Sequence, residues 1–181
     1  MKRVLIVYGT TEGHTRDVCQ YIKDVVNERG AQSTIAEATR EAPDPSKFDV
    51  CFIAASLHVG RYQTAVVDYA CRHHAILTAK PSAFLSISLS AAGENPDDWE
   101  GLAQCVQRFT DETSWRPTAV HHVAGAIRYS HYDFFKRLAL MYIARRRGQH
   151  TVSSRDYDLT DYADLNAFIV RFLAEHSEPR A

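Results

Sequence analysis

The chain has 181 residues, 45% hydrophobic and 24% charged, the balance of one soluble domain large enough to bury a core. Its 21 basic and 22 acidic residues leave a net charge of −1 with histidines neutral, which excludes the basic excess of a nucleic-acid binder. Four scattered cysteines (Cys19, Cys51, Cys71, Cys105) form no CxxC pair, so reduced thiols of a cytosolic protein are expected and a metal site is not.

Lys2 to Tyr8 is a β-branched, apolar run that predicts a buried parallel strand. It is too short for a signal peptide, and no segment reaches the roughly 18 apolar residues that span a bilayer. The loop Thr10-Thr11-Glu12-Gly13-His14-Thr15 follows, then a helix with Val18, Ile22, Val25 and Val26 on one stripe and Gly30 as its C-cap. A strand that turns into a helix aims backbone N–H groups at the positive end of the helix dipole, which makes an anion site. Three threonine hydroxyls add donors, and no lysine or arginine lies between Val4 and Thr15. Neutral donors suit the phosphate of a permanently held cofactor, whereas a nucleotide to be hydrolysed calls for charge and metal.

Gln32 to Glu37 predicts a second strand, Arg40 to Phe48 a loop, and Val50 to Ala55 a third strand buried on both faces. Strands that alternate with helices imply a parallel sheet, and ligands of such sheets bind beyond the carboxyl ends of the strands. Ser56-Leu57-His58-Val59-Gly60-Arg61-Tyr62 occupies such a position, with His58 or Tyr62 as candidates to stack on a ligand ring or donate to it. Ala65 to Leu77 predicts a helix with Val66, Tyr69, Ala70 and His73 on one face. His73 and His74 point about 100° apart on a helix and do not converge on a metal ion. Phe84 to Leu89 predicts a fourth strand, and Ser88-Leu89-Ser90-Ala91-Ala92-Gly93 a third loop at the same sheet edge, without an aromatic residue.

Asn95-Pro96-Asp97-Asp98 opens a helix whose apolar stripe is Trp99, Leu102, Val106 and Phe109, with Trp99 expected in the core. Thr118 to Ile127 predicts the fifth strand. An insertion of about residues 128–150 comes next, with a helix that is apolar almost all round between Phe134 and Ala144 and flanked by Lys136, Arg137 and Arg145 to Arg147. Such a helix must be buried, pair with a partner or lie in a membrane interface, here through 131–147. Ser153 to Thr160 is extended or loop. Tyr162, Leu165, Phe168, Ile169, Phe172 and Leu173 then give a final helical stripe, with Glu175 onward frayed.

The first loop resembles the phosphate loop of flavodoxins, Thr/Ser-x-Thr-Gly-x-Thr, with Glu12 in place of the usual small hydroxyl residue. The whole chain resembles the menaquinone-dependent protoporphyrinogen oxidase (dehydrogenase) family of flavodoxin-like fold. The resemblance rests on that loop, on Ala54 to Tyr62, Pro81-Ser82-Ala83-Phe84, Trp115-Arg116-Pro117, Ala124-Gly125-Ala126-Ile127-Arg128-Tyr129 and the aromatic-basic insertion. It implies an α/β three-layer sandwich over residues 1–181, with a five-stranded parallel sheet of order 2-1-3-4-5 and a helical insertion after the fifth strand.

The same resemblance implies FMN, held by Thr10, Thr11, Glu12, Gly13, His14, Thr15, Ser56, Leu57, His58, Val59, Gly60, Ser88, Leu89 and Ser90. It further implies oxidation of protoporphyrinogen IX to protoporphyrin IX in haem biosynthesis. Electrons would pass to menaquinone or another quinone at the cytoplasmic face of the inner membrane. Arg128, Arg137 and Arg145 to Arg147 are candidates for propionate contacts. The acidic Asp97-Asp98-Trp99-Glu100 departs from the family pattern, and the near-neutral charge departs from that of the acidic flavodoxin shuttles. No residue stands out as a catalytic acid or base. A flavodoxin-like electron-transfer or binding module and a general quinone reductase are the alternative readings. The oligomeric state is left open.

Overall fold

A computed structural model of the chain describes residues 2–127 and 157–176. The predicted insertion of 128–150, its apolar helix and its arginines lie outside the described residues, as do residues 153–156 and 177–181. Five parallel strands, β1 (Arg3–Gly9), β2 (Gln32–Glu37), β3 (Val50–Ser56), β4 (Ser82–Ser88) and β5 (Ala119–Ala124), form one sheet of order β2-β1-β3-β4-β5. Helices α1 (His14–Glu28), α2 (Thr64–Ala79), α3 (Pro96–Thr113) and α4 (Tyr162–Glu175) complete the alternation.

Successive strand residues point to opposite faces, and each face has its own cover. Ile6, Phe52 and Leu85 meet Ile22 and Val26 of α1 and Phe168, Ile169 and Phe172 of α4 on one side. Leu5, Ile53 and Phe84 meet Val66, Tyr69 and Ala70 of α2, Phe109 of α3 and Trp115 on the other. This two-sided burial is why β1 and β3 are nearly continuous apolar runs and why even the serines of β4 are buried. Each fully buried Ile or Phe contributes about 1.5–3 kcal/mol of transfer free energy.

The local signals act as their chemistry requires. Gly30 sits one position beyond the C-cap Arg29 at φ 75°, and the bonds Gly30 N–H to Asn27 O (2.9 Å) and Ala31 N–H to Val26 O (3.3 Å) close a Schellman motif. Asn95 caps α3 by accepting from the Asp97 N–H, with Pro96 at the first helical position. The loop after β2 contains a short 3-10 turn, Pro45–Lys47, capped by Asp44.

Three expectations are corrected. The fifth strand does not run to Ile127: it stops at Ala124, and the Gly125 N–H makes the last rung of its ladder with Ser88 O (2.9 Å). Ala126–Ile127 (β6) then pairs antiparallel with Tyr157–Asp158 (β7) in a separate two-stranded sheet. Trp99 is not core: it is 40% exposed, donates its indole N–H to Gly93 O (3.0 Å) and packs edge-on to His122. The stripe of α3 turns inward one step later, on Leu102, Cys105 and Phe109. Tyr62 is core instead of loop surface. Its ring packs against Phe84 and Phe109, its hydroxyl meets Ser86 Oγ at 2.8 Å, and burial pushes the phenol up to about 12.

Candidate functional site at the carboxyl edge of the sheet

Three loops leave the carboxyl ends of β1, β3 and β4 and converge on one cavity of about 490 Å³. The chain order reverses between β1 and β3, so the cavity lies at the switch point where open α/β sheets bind ligands. Of the fourteen loop residues singled out from the sequence, all but Thr11 and Gly13 line it, and Ile87, Gly125 and Ala126 complete the wall.

The first loop turns into α1 at Gly13. This residue is the N-cap at φ 87°, a left-handed value that glycine adopts without strain, and its N–H donates to Thr10 Oγ1 at 2.8 Å. No side chain among the described residues caps α1. The N–H groups of its first turn therefore face the cavity end of the helix, where the dipole favours an anion. Thr10 and Thr15 add hydroxyls, and the lining carries no lysine or arginine. Glu12 is the one carboxylate in that wall.

The second loop is braced from behind by a residue that the sequence reasoning passed over. Gln63 accepts from the Ser56 N–H (3.1 Å), donates to Ser56 Oγ, and reaches Thr11 Oγ1 at 3.4 Å. One amide thus ties the second loop to the first, which places Thr11 outside the cavity wall but in its support. Gln63 precedes α2 by one residue, and its N-cap position was the only signal that could have drawn attention to it. Beyond Ser56, His58 puts Nε2 3.1 Å from Ser56 Oγ, and His58 and Arg61 exchange two backbone bonds (2.8 and 3.0 Å).

The third loop begins with Ser88, whose Oγ accepts from the Ala91 N–H at 3.2 Å and starts the 3-10 turn Leu89–Ala92. Gly125 presses on this turn. A Cβ there would stand 3.3 Å from the Ser88 carbonyl carbon, so a side chain would press the Ser88 backbone away by a few tenths of an ångström where the β5–β6 joint closes against the cavity.

His14 joins this assembly to the returning chain. Thr160 Oγ1 donates to Ala124 O at 2.9 Å and lies 3.0 Å from His14 Nε2. With the hydroxyl proton committed to the carbonyl, His14 Nε2 must be the donor. Asp158 Oδ1 stands 3.8 Å from the same nitrogen. Burial pushes the Asp158 carboxyl up, but bonds from the Thr160 N–H and the Tyr162 hydroxyl outweigh it, and the group is held below its usual range. No group of three or more metal-ligating side chains occurs among the described residues. His74 is exposed and bonds Cys71 O, while His73 packs on Tyr69.

The flavodoxin domain family matches residues 5–154. The chain belongs to that family. Among its relatives is a protoporphyrinogen IX dehydrogenase (quinone) of Escherichia coli strain K12, 29% identical over 168 residues that make up 92% of each chain. Another, of the same name, is from Leishmania major, 28% identical over 183 residues that make up 95% of this chain and 75% of the relative. Among solved structures, the Fusobacterium nucleatum flavodoxin bound to flavin mononucleotide aligns over 98% of both chains with a TM-score of 0.51 at 11% identity, a likeness of fold. The sheet order found here is the one that the flavodoxin resemblance implied.

Proposed function

We propose that this flavodoxin-domain protein is an FMN-dependent enzyme that oxidises protoporphyrinogen IX to protoporphyrin IX and passes the electrons to a quinone. One observation carries the reading. A cavity of neutral donors sits at the switch point of a chain that matches protoporphyrinogen IX dehydrogenases over nearly its whole length.

The donor set fits FMN. The uncapped N-terminus of α1, with the Thr10 and Thr15 hydroxyls, would hold the phosphate without a metal. Leu57, Ile87 and Leu89 give the cavity apolar surface for a ring, Val59 stands exposed at its mouth, and Ser56, His58, Ser88 and Ser90 give it polar groups at the rim. Glu12, Gly13, His14 and Gly60 supply the remaining contacts of the site, and Thr11 supports it through Gln63. Bound FMN would supply the hydride acceptor, and the protein's part is to hold, orient and shield it.

The chain leaves the described residues at Ile127 and re-enters at Tyr157, on paired strands that continue from Gly125 and Ala126 of the cavity wall. That position supports a role for residues 131–147 in bringing lipid-soluble partners, menaquinone among them, to the flavin from the cytoplasmic face of a membrane. The corresponding place in metabolism is haem biosynthesis.

The test begins with the purified full chain. A yellow protein that oxidises protoporphyrinogen IX with a menaquinone analogue as acceptor is the expected result. A colourless protein that cannot be reconstituted with FMN would sink the reading. A yellow protein inactive on porphyrinogen would leave an electron carrier, the reading that fold likeness alone supports. Deletion of residues 134–147 is expected to abolish membrane association and quinone reduction, and survival of both refutes the role given to that segment.

A further inference from the structure

The segment from His58 to Arg61 is a two-residue hairpin. His58 N–H donates to Arg61 O and Arg61 N–H to His58 O, while Val59 and Gly60 both have positive φ, 49° and 74°. These are the features of a type I′ turn, whose first central position favours Asn, Asp or Gly. A β-branched residue in the left-handed region is strained, and such strain persists where the surroundings enforce it. Ser114, the other non-glycine residue with positive φ among the described residues, closes the end of α3. Val59 closes no helix. Its side chain is 91% exposed, the most open large apolar residue described, and it lines the cavity.

The turn is braced from α3 and at the base of its loop. Arg108 of α3 places Nη2 3.4 Å from Gly60 O and 3.1 Å from Cys105 Sγ. Gln63 fixes the base of the loop at Ser56. The turn also separates two depressions. On one side is the main cavity. On the other is a smaller one of about 260 Å³, whose wall includes Arg61, Asp68, Arg108 and Glu112. Arg108 is engaged with the turn itself, whereas Arg61 is exposed and forms no ion pair among the described residues.

We propose that Val59 is kept in this strained turn because it seats the apolar ring of the tetrapyrrole substrate at the cavity mouth, while Arg61 takes a carboxylate of the same molecule. The assignment rests on the porphyrinogen reading above and adds to it the residues that select the substrate. A quinone carries no carboxylate, so the Arg61 contact separates the two partners by chemistry.

The experiment uses the full chain saturated with FMN, with the quinone in excess, and compares protoporphyrinogen IX with its dimethyl ester. Val59→Asn is expected to raise Tm by about 2–4 °C, because Asn-Gly suits a type I′ turn. It is also expected to raise KM about tenfold for both the acid and the ester, the effect of losing a valine side chain that the bound substrate covers in part. Val59→Leu keeps the apolar contact and is expected to hold KM within about twofold. Arg61→Gln is expected to raise KM about fivefold for the acid and not for the ester. A more stable Val59→Asn protein with unchanged KM overturns the role of Val59. Equal effects of Arg61→Gln on acid and ester overturn the role of Arg61. If the unmodified chain binds FMN but turns over no porphyrinogen, the functional reading itself fails and this assignment with it.

Discussion

Replacing Gly9 by alanine tests the joint between the sheet and the two front loops. Gly9 is the last residue of β1, and a Cβ there would stand 2.5 Å from Val66 Cγ2 and 3.2 Å from Gln63 Cβ, where ordinary contact begins at 3.4 Å. Val66 is fully buried, so it has no solvent side to turn toward, and the start of α2 must move away from β1. Overpacking of this kind costs typically 1–3 kcal/mol, less the few tenths to about 1 kcal/mol gained by stiffening the unfolded chain. A net loss of about 1–2 kcal/mol corresponds to a Tm about 3–6 °C lower for a chain of this size.

The same displacement carries Gln63, which ties Ser56 to Thr11, so FMN affinity is expected to fall several-fold as well. Thermal unfolding of Gly9→Ala, Val66→Ala and the double variant gives a mutant cycle. The alanine at 66 removes the methyl that clashes, so the double variant should be at least about 1 kcal/mol more stable than the sum of the single losses. Additive losses, or a Gly9→Ala protein as stable as the parent, would refute the packing argument.

Gly30→Ala places a side chain at φ 75° in otherwise open space, so the loss comes from backbone strain alone. A Tm about 2–4 °C lower is expected, with a smaller loss for Gly30→Asn. Trp115→Phe removes a fully buried indole whose N–H donates to Ser82 Oγ (3.1 Å) and leaves a void behind α3; denaturant unfolding should give about 1–3 kcal/mol less stability. Burial holds the imidazoles of His121 and His122 below their ordinary value of 6.5, against an opposing pull from Asp164 on His121. The unfolded chain therefore binds protons that the folded chain resists. The stability is fully present above about pH 6.5 and is lost as pH falls below it, and His122→Gln should make that fall in Tm shallower.

Much of the frame was legible because its signals are local or nearly so. The runs Val4 to Tyr8 and Val50 to Ala55 can only be strands covered on both faces, and the stripe of Val18, Ile22, Val25 and Val26 fixes the buried side of α1. Gly30 declared a helix end because few other residues adopt a left-handed conformation without strain. The phosphate loop was legible because donor-rich backbone between a strand and a helix has few other uses. Gly125 was visible as part of a family pattern, but its job was not. That job depends on the Ser88 backbone, 37 positions earlier in the chain, lying against it. Trp99 was misplaced because helical periodicity gives a face but not which of its residues a distant element covers; its indole N–H instead goes to Gly93 O and its ring lies edge-on to His122.

The sequence alone determined the alternation of strands and helices, the neutral anion loop at Thr10 to Thr15 and the absence of a charge excess that would draw nucleic acid. These follow from propensity, periodicity and composition, which need no partner distant in the chain. Only the tertiary structure decided that Tyr62 belongs to the core and Val59 to the surface, although they are three residues apart. A tight turn reverses which side of the loop each one faces, and Tyr62 finds its buried place against Phe84 and Phe109 only once α3 packs on the sheet.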